Sequence, residues 1–389
     1  METHESRILI YSSDTETIDS IFDLCELSQT KSLRLVTCPN EEALDDHLDH
    51  HECSLVFIDL KSFPDGNQLD AIAQRVSPKP TIAILPELDQ HLLIRALRNG
   101  ADSVFTQTEM RSDPLELVRC LDRQLQRAHA IEETRYLRDT LSKSLEELKA
   151  DQDAAAQIQQ RLLPPPEQTL DDGLHCEYIL RPSMLLSGDF IDLINLHDNK
   201  HLFYLADVSG HGASSAMVTV LLKNMTNRLG RLYNRGDSKT LESPMALLKH
   251  FNREILLTSL GKHMTMLVGV IDLNNSTLTY SIGGHHPSPL LTQGGKTVFL
   301  EGRGMPVGLF EEPIYEEHRI DLDEQFSIAL FSDGILEILE GDNSDEKEQN
   351  LRLQCQDFDL TPEQLLKRLV NSETEMPDDV AIMMVSRRC

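Results

Sequence analysis

Four short acidic motifs in the second half of this 389-residue chain hold residue types that could do metal chemistry: SGDF at 187–190, ADVSGHG at 206–212, FSDG at 331–334 and PDDV at 377–380. Each sets an Asp beside an apolar stretch with Gly, a small residue or a second Asp close by, so each puts a carboxylate at the end of a strand. Strand ends bring residues distant in sequence to one edge of a sheet, and carboxylates gathered there repel one another unless a cation neutralises them. A ligand set made only of oxygen points to Mg²⁺ or Mn²⁺ rather than zinc. The seven cysteines, at 25, 38, 53, 120, 176, 355 and 389, form neither a CxxC pair nor a C-x-x-x-x-x-R phosphate loop, which argues against a cysteine nucleophile.

The elements that must position these acids are legible around them. Leu202 to Val208 has the character of a buried strand, followed by a Gly-rich turn and a helix pattern opened by Ser214 and Ser215. Asp207 therefore sits at a strand end, and Gly210 and Gly212 let the backbone pass close to an ion or phosphate. FSIALFSDGILEILE repeats the design, with Phe326 to Phe331 as strand, Asp333 at the turn and a helix from Ile335 to Leu339. Asp378 and Asp379 stand just before the apolar strand VAIMMV.

In order from Ile158 onward, the motifs RLLPP, YxLRP before SGDF, ADVSGHG, GGHHPSPLL, GMPVGL, FSDGILE and PDDVAIMMV resemble the bacterial SpoIIE-like branch of the metal-dependent Ser/Thr protein phosphatases of the PPM type. The resemblance implies an αββα sandwich with two Mn²⁺ or Mg²⁺ ions in a cleft between two sheets. It implies Asp207, Asp333 and Asp378 as the catalytic carboxylates. Asp207 would bridge both ions, Asp333 and Asp378 would complete one shell, and Asp189 with the Val208 carbonyl would serve the other. Asp379 is the alternative to Asp378. His211 is read as a turn residue or a contact to phosphate or a metal water, His285 and His286 as loop residues near the cleft, and Arg181 as a strand-end residue.

Upstream, the segments at 7–11, 33–37, 54–60, 81–85 and 102–106 read as five strands with helices between them, hence a doubly wound parallel sheet. This resembles a response-regulator receiver domain over residues 1–125, with Asp59 at the phospho-acceptor position. Its surrounding chemistry departs from the receiver pattern. Ser12 and Ser13 stand where an acidic pair is expected and Asp14 is one place late; Leu85 and Pro86 replace the switch hydroxyl, and Gln107 stands where a Lys belongs. Without two carboxylates for Mg²⁺ and a Lys to neutralise an acyl phosphate, phosphorylation at Asp59 is expected to be slow or absent. The domain reads as a degenerate receiver serving as a docking or dimerisation platform.

Residues 126–163 read as a helical linker, and 164–389 as the phosphatase domain. In the linker Leu137 or Arg138, Leu141, Leu145, Leu148, Gln152, Ala155, Ile158 and Leu162 keep a 3-4 spacing among charged residues, the pattern of a coiled coil or of a helix lying along a domain. Pro164, Pro165 and Pro166 stop it. A parallel homodimer through this helix is expected.

Composition narrows the function classes. The formal net charge of −28 argues against nucleic-acid binding, which needs basic patches. No apolar run reaches membrane-spanning length, the first residues lack a signal-peptide pattern, and scattered cysteines fit a reducing cytoplasm. By resemblance, the substrate is a phosphorylated anti-sigma factor antagonist of the STAS type in a partner-switching pathway. The competing reading is an adaptor that binds a sigma or anti-sigma factor through a phosphatase fold without catalysis. A third is hydrolysis of a small phosphoester, with residues 302–317 as a flap over the cleft.

Overall fold

The computed structural model describes residues 6–30, 32–62, 72, 74–77, 79–369 and 376–387. The chain divides into two compact units, Met1–Leu145 and Glu146–Cys389.

The first unit is a five-stranded sheet built from β1 (Ser6–Tyr11), β2 (Leu33–Cys38), β3 (Leu55–Asp59), β4 (Thr81–Leu85) and β5 (Ser103–Thr106), in the order β2-β1-β3-β4-β5. All its pairings are parallel. The strands are apolar on both faces because both are covered. Leu9 and Tyr11 of β1 join one core cluster and Ile8 and Ile10 the other, the signature of a doubly wound sheet. The covering helices include α1 (Thr15–Glu26), α2 (Glu41–His50), α3 (Gln90–Arg98) and α4 (Gln107–Ser112). The helix expected between β3 and β4 falls largely outside the described residues.

Pro114–Leu162 forms one helix of 49 residues, α5. Proline at its first position has no N–H to lose there, and the proline triplet after Leu163 ends it. In the 3-4 stripe Leu137, Leu141, Leu145 and Leu148 are each 55–60% exposed, whereas Leu162 packs against the core of the second unit.

The second unit holds two antiparallel sheets. One comprises β8 (Asp189–Asn195), β9 (Lys200–Val208), β10 (Met264–Asp272), β11 (Thr277–Gly283) and β14 (His318–Asp321), in the order β14-β11-β10-β9-β8. The other comprises β6 (Glu167–Thr169), β7 (Leu174–Arg181), β12 (Leu290–Gln293), β13 (Lys296–Phe299), β15 (Phe326–Phe331) and β16 (Val380–Arg387), in the order β13-β12-β15-β16-β7-β6. The period of two along each strand sorts side chains into layers. Phe203 and Leu205 of β9 meet Ile328 and Leu330 of β15 and Ala381, Met383 and Val385 of β16 in the core between the sheets. Leu202, Tyr204, Ala206 and Val208 face the other way, against α6 (Ala213–Asn234) and α7 (Pro244–Thr258). On the opposite outer face Phe331, Val380, Ile382 and Met384 pack with residues of α8 (Gly334–Ile338), α9 (Ser344–Gln354) and α10 (Pro362–Leu369). The result is the helix-sheet-sheet-helix sandwich expected from the sequence. Among the described residues, no helix is long and apolar enough to cross a membrane.

Candidate active site

β9 ends at Val208, and its antiparallel register sets Asp207 directly opposite Asp189, the first residue of β8. Like charges facing each other across a ladder oppose folding, so this pairing asks for a compensating cation. The two turns are drawn together by backbone. The Val208 N–H donates to the Gly188 carbonyl at 3.2 Å. A Cβ at Gly188 would stand 2.7 Å from the Val208 carbonyl oxygen and 3.2 Å from that of Gly210, so a glycine is required. Beyond them Gly210 and Gly212 both take positive φ, 77° and 80°, and Gly212 caps α6.

The second sheet delivers the other two motifs in the same manner. Past the end of β15, the Ser332 N–H donates to the Ala381 carbonyl at 3.0 Å, and the Ser332 hydroxyl accepts from the Ala381 N–H at 2.8 Å. A Cβ on Gly334 would lie 2.1 Å from the Asp379 carbonyl oxygen. FSDG and PDDV are therefore locked edge to edge.

The two acids of PDDV have different surroundings. Asp379 is buried, and its carboxylate accepts four hydrogen bonds: from the Ser183 N–H (2.7 Å) and hydroxyl (2.8 Å), the Ser187 hydroxyl (2.9 Å) and the Gly188 N–H (2.7 Å). It fastens the SGDF turn of one sheet to the last strand of the other. Asp378 takes one backbone N–H, that of Asp379, at 2.7 Å. Asp378 thus keeps lone pairs free for an ion, and Asp379 spends its own on the protein.

The electrostatics of the cluster match a cation site. Asp189 is 1% exposed, and its Oδ2 has no hydrogen-bond partner, an expensive state for a buried carboxylate oxygen. Burial, and next the charge of Asp207, holds the Asp189 carboxyl well above the usual range. Asp207 is pushed up to about 7 by burial, then by Asp333, Asp378 and Asp379. Asp333 is raised by burial and then by Asp378. Among the described residues no three His, Cys, Asp or Glu side chains form a ready-made metal cage. The acids sense one another without closing on a point, as like charges do. The donor set, all hard oxygen with one orphaned atom, fits Mg²⁺ or Mn²⁺.

His285 is buried; its Nε2–H donates to the Phe331 carbonyl at 2.8 Å, and its Nδ1 lies 3.2 Å from the Thr265 hydroxyl. His211 is exposed. Arg181 pairs with Glu363 at 3.2 Å at the end of β7. The 302–317 segment is tied down: Val307 exchanges backbone hydrogen bonds with Met264, and the Asn252 side chain accepts from the Gly308 N–H and donates to the Phe310 carbonyl. Cysteine chemistry is closed off where the residues are described, since Cys25, Cys38, Cys53, Cys120, Cys176 and Cys355 are all buried. Burial pushes the Cys176 and Cys355 thiols up to about 12. Cys389 lies outside the described residues.

Sequence reasoning missed several supports. Thr265 pairs with Asp207 across the β9–β10 ladder. Gln159 of α5, 7% exposed, donates to the Ser187 carbonyl at 2.7 Å and to Thr219 at 2.9 Å, while its own carbonyl accepts the Ser187 N–H at 3.2 Å. Lys262 reaches the Ser209 carbonyl at 2.8 Å. Only long-range pairing reveals these residues.

In the first unit Asp59 ends β3 and is 1% exposed. Its Oδ2 accepts from the Ser12 hydroxyl at 2.6 Å and its Oδ1 from the Lys61 N–H at 3.0 Å. Asp14 is engaged with Lys61 and Thr17 instead, and Gln107 donates to Thr17. The expected acceptor is thus capped by a serine hydroxyl.

Residues 197–388 match the family model of Stage II sporulation protein E (SpoIIE). The chain is 24% identical over 259 residues to the phosphoserine phosphatase RsbU of Bacillus subtilis, covering 64% of this chain and 73% of that protein. It is 26% identical over 205 residues to the Regulator of RpoS of Escherichia coli K12, covering 52% and 58%. The SiaA-PP2C domain of Pseudomonas aeruginosa shares the fold at a TM-score of 0.52 and 20% identity, over 62% of this chain and 97% of that one. The C-terminal unit therefore carries a SpoIIE-type Ser/Thr phosphatase domain of the PPM class, preceded by a receiver-like parallel sheet and the long helix α5.

Proposed function

We propose that this chain is a metal-dependent protein phosphatase that removes phosphate from Ser or Thr of a small anti-sigma factor antagonist of the STAS type. The observation that carries the metal-dependent reading is the Asp189–Asp207 pair: two facing carboxylates, one with an orphaned buried oxygen, both with raised affinity for protons. Asp207 would bridge two ions, Asp333 and Asp378 would hold one of them, and Asp189 with the Val208 carbonyl the other. Bound there, two divalent ions would supply Lewis acidity, lowering the pKa of water and stabilising charge on the entering and leaving oxygens of an in-line displacement. The protein's part is positioning. Gly188 lets the Val208 carbonyl approach, Asp379 clamps the SGDF turn, and Ser332, the residue before Asp333, is bonded to Ala381 just past the PDDV motif.

The substrate class rests on the likeness to RsbU and to the SpoIIE family. The exposed leucine stripe of α5 supports a parallel homodimer, and the Ser12 cap on Asp59 supports a receiver-like unit that acts as a platform without phosphorylation. The acidic chain and the absence of a spanning helix among the described residues fit a cytoplasmic protein that binds neither nucleic acid nor membrane. The likeness to the Regulator of RpoS keeps an adaptor as the second reading; the retained acids at 189, 207, 333 and 378 count against it.

The test is capture with an Asp207→Asn trap, followed by phosphate release from the recovered phosphoprotein by the wild-type chain with Mn²⁺ or Mg²⁺. Release of phosphate from a STAS-type protein meets the proposal. Stable binding of a sigma or anti-sigma factor, with no phosphatase activity on any captured phosphoprotein, establishes the adaptor instead.

A further inference from the structure

His285 lies just beyond β11, 6% exposed. The Phe331 carbonyl can only accept, so the 2.8 Å contact fixes the ring proton on Nε2. Burial lowers the imidazole pKa to about 4, so the ring is neutral and Nδ1 presents a lone pair. That lone pair faces the Thr265 hydroxyl at 3.2 Å. Thr265 stands opposite Asp207 in the ladder, and its single hydroxyl proton, given to Nδ1, ties the ring to the strand that faces the acid. Phe331 is the last residue of β15, two before Asp333. The ring thus touches both sheets of the sandwich: through Thr265 the strand facing Asp207, and through Phe331 the strand that delivers Asp333.

We infer that Thr265 and His285 are positioning residues, which together fix the separation and orientation of Asp207 and Asp333 across the two sheets. This rests on the proposed metal centre. Neither side chain is assigned to touch metal or substrate. Both ring nitrogens are engaged, one with the strand that pairs with that of Asp207 and the other with the strand that leads to Asp333. The expectation is that metal affinity, more than fold stability, senses the relay.

The experiment is Mn²⁺ binding to the full chain, read by the EPR signal of the free ion, for wild type, Thr265→Val, Thr265→Ser, His285→Phe and Thr226→Val. Thr226 is a control: it is a buried threonine hydrogen-bonded to Tyr204 and to the Leu222 carbonyl, away from the acids. Circular dichroism checks folding. Thr265→Val and His285→Phe should bind Mn²⁺ at least ~10-fold more weakly, as loss of a partner behind a metal ligand does. Thr265→Ser should stay near wild type because it keeps the hydroxyl, and Thr226→Val should bind normally. If His285→Phe fails to fold, the contrast between valine and serine at 265 decides. Wild-type affinity in a folded Thr265→Val overturns the inference, as does an equal loss in Thr226→Val. Failure of the wild type itself to bind Mn²⁺ overturns the metal centre and the relay with it.

Discussion

Replacing each acid of the PDDV motif by asparagine should move stability in opposite directions. Asp379 accepts four hydrogen bonds, two on each oxygen. In Asp379→Asn, the retained oxygen can keep the two bonds from Ser183, now without charge assistance. The new amide nitrogen meets two donors. The Ser187 hydroxyl can rotate to accept, but the Gly188 N–H cannot, and it becomes a buried donor without a partner. An unsatisfied buried donor costs about 1–3 kcal/mol, and weakening the charge-assisted bonds adds a similar amount. A total of about 3 kcal/mol should lower the midpoint of thermal unfolding of a domain this size by roughly 6–12 °C. Asp378→Asn keeps the shape and the carbonyl that accepts the Asp379 N–H, and it removes one charge that raises Asp207 and Asp333. In EDTA this variant should match or exceed the wild type by up to ~1 kcal/mol, yet lose at least ~100-fold in turnover with Mn²⁺ restored, roughly 2.7 kcal/mol of transition-state stabilisation. Thermal unfolding in EDTA, paired with phosphate release, reads both. A stable Asp379→Asn, or an Asp378→Asn that unfolds early, would refute the division of labour between the two acids.

Other outcomes follow from the same geometry. Asp207 is raised from 3.8 to about 7, so the folded state favours its protonated form. That stabilisation is complete below about pH 4 and lost as pH rises through about 7, at most roughly 4 kcal/mol. In EDTA, wild type should therefore lose more stability than Asp207→Asn between pH 4 and 7.5, and parallel pH–stability curves would contradict this. Gly188→Ala should push the Val208 carbonyl out of place, because its Cβ would meet that oxygen at 2.7 Å; calorimetry should show Mn²⁺ affinity down at least ~10-fold, and unchanged affinity would remove Val208 from the site. Leu141→Lys with Leu145→Lys should turn a dimer into a monomer in sedimentation without any phosphodonor, since each leucine contributes on the order of 1.5–3 kcal/mol if buried by a partner helix. A wild-type monomer that dimerises only with acetyl phosphate would show that Asp59 switches despite its Ser12 cap.

Much of the fold was legible because the strands write their own layers. TIAIL gave β4 residue for residue, and the nearly continuous apolar run Leu202–Val208 marked a strand that the sandwich buries on both faces. The helix after Pro114 was legible from the absence of breakers up to Pro164. Asp207 and Asp333 were legible as strand ends because each closes an apolar run just before a Gly-bearing turn, whereas Asp189 opens β8 and Asp378 precedes β16. What the sequence concealed was pairing. Nothing local says that Thr265 faces Asp207, or that His285 reaches Phe331. Asp378 and Asp379 are adjacent and chemically identical, and their roles diverge only because the Ser183–Gly188 backbone arrives from another strand to occupy one of them. The same holds at Ser12, where a small polar residue gained meaning only beside the buried Asp59.

The central claim is that the gathered carboxylates work through divalent metal. Its most direct test is phosphate release from a phosphoserine protein substrate by the full chain, with Mn²⁺ and then with excess EDTA, beside Asp207→Ala. Turnover should require the metal, stop in chelator, return when Mn²⁺ is restored, and be essentially absent in a folded Asp207→Ala. An undiminished rate in EDTA, or full activity without the Asp207 carboxylate, would contradict the account.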